Sequence, residues 1–176
     1  MNKKNFSTIF LLFLLGATIW FCWDMMFPSE TRQITKRLNK LAKTISFSKG
    51  TSDLVKVATN ELIREYFSTN VVIELKNIHP QGENITDRGI LMNLIALART
   101  YLEDLNIQFE DPVIELSPDK THAIMEVMVR ISINEFGDGH IYQLMQINWI
   151  KTDKKWKIEY VRTLKLLGRE NIPHLL

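Results

Sequence analysis

Arg162 is the residue whose position most invites chemistry. From Trp156 onward, Trp156, Ile158, Tyr160, Leu164 and Leu166 recur at even positions and should share one face of a strand, which Arg162 interrupts. A guanidinium on an apolar face needs an acceptor, because an unpaired buried charge is costly. Glu74 could supply one, and so could the anionic group of a ligand. Tyr160 and Gln146 are the polar groups best placed to join Arg162 in holding a ligand, with Tyr66, Tyr101 and Asn148 as further candidates. The expected chemistry of such a set is recognition, not bond-making, since it holds no nucleophile with a neighbouring base.

The other reactive side chains are scattered. His79 precedes Pro80 in a turn, His140 follows Gly139 at a strand start, His174 lies in the tail and His122 sits on the polar side of its strand. None shares ligand spacing with a cysteine or carboxylate cluster, so neither a metal site nor a catalytic residue is expected. A glycine-rich phosphate loop, a G-x-S-x-G elbow and an H-E-x-x-H helix are all missing from the sequence, which argues against many nucleotide-using and hydrolytic classes; no cofactor is expected. Cys22 is the sole cysteine and lies in an apolar run, leaving the rest of the chain without a thiol nucleophile or an intrachain disulfide.

These residues must be positioned by mixed elements. Ile34, Leu38, Leu41 and Ile45 recur at helical spacing after Pro28 and Ser29, with Arg32, Lys36, Lys40 and Lys43 on the other faces. Lys49 to Asp53 reads as a turn and N-cap opening a helix from Ser52 to Phe67, with Leu54, Val57, Ala58, Leu62 and Tyr66 at core spacing. A strand follows through Val71, Ile73 and Leu75, stopping at the turn His79 to Gly82. Thr86 or Asp87 should cap a third helix whose buried stripe is Ile90, Leu94 and Ala98, with Leu91, Ile95 and Leu102. The remainder is strand-like, with turns at Ser117 to Lys120, Phe136 to Gly139 and Thr152 to Lys155. From Thr121 to Ile133, Ala123, Met125, Val127, Val129 and Ile131 face one side; His122, Glu126 and Arg130 face the other and form a candidate interface.

The N-terminus carries a different signal. Phe6 to Trp23 is uncharged and mostly apolar, and 18 helical residues would reach about 27 Å, close to a bilayer's hydrocarbon thickness. The bulky Ile19 to Trp23 offers no small-residue cleavage site, so the run is expected to stay as a single transmembrane helix contacting the lipid bilayer. Lys3 and Lys4 before it favour an N-terminus inside and a domain outside the cytoplasm, with a tethered cytosolic domain as the alternative. The expected organisation is an anchor over residues 1–27 and one domain over 28–176. The chain has 22 Lys and Arg and 20 Asp and Glu, which become 20 against 19 once Lys3, Lys4 and Asp24 are set aside, a near balance that argues against the concentrated basic surface of a nucleic-acid binder.

The order helix, helix, strand, helix and then four strands resembles the NTF2-like (SnoaL-like) superfamily over roughly residues 30–168. Thr86-Asp87-Arg88-Gly89-Ile90 opening the third helix, and Trp156-Lys157-Ile158 following a charged turn, add to the likeness. The resemblance implies an α+β cone in which three N-terminal helices pack into a strongly curved antiparallel sheet. It also implies two classes of function. One is a non-catalytic binding or assembly module, self-associating as a homodimer or joining a membrane complex through the sheet face of His122, Glu126 and Arg130. The other is a small-molecule binder or an isomerase- or dehydratase-like enzyme, with Tyr160, Arg162 and Gln146 turned into the cone. A cone filled by Met, Trp and Phe favours the first; an open cavity above about 300 Å³ with converging polar groups favours the second.

Overall fold

The computed structural model describes residues 29–74, 84–133 and 139–170. The apolar run Phe6 to Trp23, the boundary between residues 27 and 28, and the expected turns at His79 to Gly82 and before Gly139 lie outside them. The expectation of a single-pass membrane protein needs correction, because no helix among the described residues is long and apolar enough to cross a membrane.

Contacts divide the chain into Met1–Gln33 and Ile34–Leu176. In the first unit, Ser29 opens a helix: its hydroxyl accepts from the Arg32 amide at 3.3 Å, and its carbonyl from the Gln33 amide at 3.0 Å. That helix, α1, covers Glu30–Ile45. Its stripe is the expected one, with Leu38 and Leu41 buried and Ile45 partly so. Two helices and five strands follow in the order α2 (Asp53–Arg64), β1 (Phe67–Glu74), α3 (Arg88–Tyr101), β2 (Asn106–Leu116), β3 (His122–Ser132), β4 (His140–Thr152) and β5 (Lys155–Glu170).

Helix α3 starts where a cap was expected. The Asp87 carboxylate accepts from the amides of Gly89 (2.6 Å) and Ile90 (3.1 Å). A Cβ on Gly89 would stand 2.8 Å from that oxygen, so glycine leaves the cap its space. The helix faces are rotated from expectation, however. Leu91 and Arg99 are buried and Ile95 partly so, whereas Ile90, Leu94 and Leu97 are exposed. In α2, likewise, Ile63 is buried in place of Leu62.

The sheet runs β1-β5-β4-β3-β2. It is mixed, not wholly antiparallel: β1 pairs with β5 in parallel, and the other three pairs are antiparallel. Strand β5 is also irregular. Along its pairing with β4, Glu159, Leu164 and Leu167 are each passed over, three one-residue bulges that bend and twist the strand. The bulge at Glu159 changes which side chains face the helices. Trp156 and Ile158 point to the core, and beyond the bulge Val161 and Thr163 do so in place of Tyr160 and Arg162.

The core lies between the helices and the inner sheet face. Trp149, Trp156, Met125 and Val127 fill the sheet side, meeting Ile34, Leu38, Ile63 and Tyr66 from the helical side. β3 alternates as expected, with Ala123, Met125, Val127 and Val129 buried.

Candidate functional site

Because of the Glu159 bulge, the expected ligand set does not enter the cone. Tyr160, Arg162 and Gln146 stand together on the outer face of the sheet, half-buried. Register explains the company they keep. Glu74, Arg162, Gln146 and Glu126 are successive partners across β1, β5, β4 and β3, and Val72, Tyr160, Asn148 and Ile124 form the adjoining row.

Hydrogen bonds join the middle of the first row and run on into the second. Arg162 donates to Gln146 Oε1 from Nη2 at 2.7 Å and from Nε at 3.2 Å, and Gln146 Nε2 donates to Asn148 Oδ1 at 2.8 Å. The acceptor of Arg162 is thus an uncharged amide, while Glu74 sits opposite it in the parallel ladder. Burial pushes the Tyr160 hydroxyl above its ordinary pKa, and the Glu74 carboxylate adds to this by accepting its hydrogen bond and by its negative charge.

The expected interface residues share this face. Arg130 reaches Glu110 Oε1 at 3.4 Å and donates to Gln108 Oε1, its register neighbour on β2. His122 Nδ1 is hydrogen-bonded to the Thr121 hydroxyl at 2.9 Å, and Glu126 is exposed. Two groups that the sequence assigned to opposite functions, cavity and interface, therefore share the outer face of the sheet, where both signs of charge are interspersed with Val72, Ile124 and Met128.

Two clefts lie elsewhere. One, of about 550 Å³, opens where the end of α1 meets the sheet, lined by Ser46, Phe47, Asp104, Asn106, Ser132 and His140 among others. There the Ser132 hydroxyl and His140 Nδ1 are 2.7 Å apart and hydrogen-bonded. They are direct cross-strand partners, so sheet register alone brings them together. The other, of about 390 Å³, lies between α2 and the β4–β5 hairpin, with Arg64, Arg88, Lys155 and Lys157 against Glu61, Glu65 and Asp153. Among the described residues no group of three His, Cys, Asp or Glu could hold a metal.

Arg99 is the residue that the sequence reading missed. It is buried in α3 and reaches two other helices: Nη2 donates to the Thr44 carbonyl at 2.7 Å, at the end of α1, and Nη1 to Asn60 Oδ1 on α2 at 3.0 Å. Its guanidinium also lies 5.7 Å from the centre of the Phe47 ring. Arg37 does similar work from α1, donating to the Glu65 carbonyl at the end of α2 at 2.7 Å and stacking 4.6 Å over Tyr66. The available signal for Arg99 was its spacing from Ile95 and Leu91, about one and two helical turns away.

No protein-family model matches the chain, and no curated protein matches it. Solved structures do. One is a provisionally named scytalone dehydratase from Novosphingobium aromaticivorans DSM 12444, with a TM-score of 0.64 and 14% identity over 84% of this chain and 89% of that one. Kfla4162 protein from Kribbella flavida has a TM-score of 0.64 at 11% identity, over 81% of this chain and 94% of that one. An NTF2-like protein of unknown function from Pseudomonas putida KT2440 has a TM-score of 0.56 at 6% identity, over 74% and 82%. The fold is NTF2-like. At these identities the likeness bears on the NTF2-like fold alone, which elsewhere carries unrelated functions.

Proposed function

We propose that this NTF2-like domain is a non-catalytic assembly module that meets a second copy of the chain through the outer face of its sheet. The observation that carries this reading is the bulge at Glu159, which turns Tyr160 and Arg162 outward while the cone holds its own Trp149, Trp156 and Met125. A cone so filled leaves its middle to packing, and the polar groups lie where a partner can reach them.

The face is also self-complementary. Glu126 and Arg130 lie on the same side of β3 with Met128 between them. A twofold axis through Met128 brings Glu126 of one copy beside Arg130 of the other. The test is sedimentation of the full chain over a hundredfold concentration range. Glu126→Arg sets like charges together and should weaken association about tenfold or more, about 1.4 kcal/mol. It should leave the melting temperature unchanged, because the side chain is exposed. Unaltered association would overturn the reading.

The cleft beside His140 and Ser132 supports a second reading, a small-molecule site at the edge of the cone, since its volume suits a ligand and Asp104, Asn106 and His140 converge on it. A ligand whose stabilisation of the fold disappears in His140→Ala would favour that reading over assembly.

A further inference from the structure

The side of α3 that faces away from the core is apolar. Ile90 is 51% exposed, Leu94 43%, Leu97 51% and Tyr101 77%. The other exposed residues of that helix, Asn93, Ala98 and Thr100, carry no charge. Val55 and Leu62 on α2, seven positions apart, are more than half exposed as well. Four large apolar side chains in line on an uncharged helix surface are unlike a solvated face, and mark a contact surface.

Two features identify the occupant. The steps between the four residues are 4, 3 and 4, the spacing of a helix–helix seam. That spacing also reads the same in both directions, so the seam fits a second copy of itself run antiparallel. The flanking positions carry no charges that would select a different, oppositely charged helix. Antiparallel pairing further sets each helix N-terminus beside the other's C-terminus, where their dipoles attract.

We propose that α3 pairs antiparallel with α3 of a second copy about a twofold axis between Leu94 and Leu97. Ile90 then meets Tyr101 of the partner subunit, and Leu94 meets Leu97 of the partner subunit. This contact is separate from the outer sheet face. A chain with both would carry two different twofold interfaces, and its assemblies would grow beyond a dimer.

The experiment uses full-length chains in which Cys22→Ser removes the native thiol. Ile90→Cys and Tyr101→Cys are made separately, then oxidised alone and mixed. The seam predicts a disulfide-linked dimer in the mixture and none from either variant alone, since like positions are about 16 Å apart along paired antiparallel helices, beyond disulfide reach. Adding Leu94→Asp and Leu97→Asp to both chains should abolish the cross-link without lowering the melting temperature. Cross-linking of either variant alone as efficiently as the mixture, no cross-link in the mixture, or a cross-link that survives the aspartates each overturns the proposal. Glu126→Arg should leave the cross-link intact, so failure here and failure of the sheet-face reading are told apart.

Discussion

Arg162 Nη2 and Gln146 Oε1 lie 2.7 Å apart across the β5–β4 pair, on the face of the sheet turned away from the helices. The bond joins a cation to a neutral amide, so the positive charge is solvated by the protein but not cancelled by this partner. Arg162→Met keeps most of the apolar stem and removes both bonds. For a half-exposed charged donor the expected loss is about 1–2 kcal/mol, read as a lower urea midpoint at unchanged slope. A variant as stable as the parent would show that Gln146 and Asn148 satisfy each other without the guanidinium.

Arg99 holds three helices through single side-chain atoms. Burial lowers its pKa, yet arginine starts so high that it remains charged at neutral pH. Arg99→Leu would strand the Thr44 carbonyl and the Asn60 amide and should cost about 3 kcal/mol or more. Arg99→Lys should rescue little, because an ammonium cannot span both acceptors. Thermal unfolding of the two variants checks this; near-parental stability of the lysine variant would mean that one of the two bonds is dispensable.

The β2–β3 turn has a pH signature. Asp119 accepts hydrogen bonds from the hydroxyls of Ser117 and Thr121 and from the Thr121 amide, which hold its carboxyl down at about 2. An unfolded aspartate titrates near 3.9. The folded pKa is therefore the lower one, so this contribution is complete above about pH 4 and is lost as the pH falls toward 2. Asp119→Asn should flatten the acid limb of the stability profile between pH 4 and 2. Superimposable acid limbs would place the stabilising bonds elsewhere.

The β4–β5 turn is strained in a way that a sequence change can relieve. Asp153 and Lys154 have φ of 52° and 62°, both in the left-handed region, in a two-residue hairpin that usually takes Asn-Gly or Asp-Gly. Lys154→Gly should raise stability by about 0.5–1 kcal/mol, the relief of a non-glycine residue at positive φ less the added freedom of the unfolded chain. Chemical denaturation of this exposed substitution measures it, and a loss of stability would show that Lys154 makes a compensating contact.

Element order was legible in the sequence because caps, turns and periodicity are local. Asp87, the Ser117 to Lys120 turn and the alternation of β3 each announce themselves within a few residues. What was not legible depended on tertiary choice. Helix α3 has apolar residues on two sides, and the core took Leu91 and Ile95 with Arg99, a side that looks polar until Thr44 and Asn60 are known to await the guanidinium. In β5 the even-numbered run Trp156, Ile158 and Tyr160 hid the bulge; Val161 and Thr163, β-branched and of opposite parity, were the only hint. Tyr160, Arg162 and Gln146 thus stand together as expected, but on the outer face of the sheet and not inside the cone. That β1 pairs in parallel with β5 has no local signature at all.

Strand β5 comes last of the five described strands in the chain, yet it sits second in the sheet, holding β1 on one side and β4 on the other. Until β5 is in place, Val72 and Glu74 of β1 lack their partners Tyr160 and Arg162, and Trp149 lacks its Ile158 neighbour. Completion of the sheet therefore waits on one pairing of large sequence separation, β1 with β5, the kind of contact that forms slowly. A chain without β5 leaves one edge of β4 and the β1 strand unpaired, the state in which chains aggregate or engage chaperones. A stop codon just before residue 155 would leave β2, β3 and β4 able to pair and β1 with no strand to join it to them.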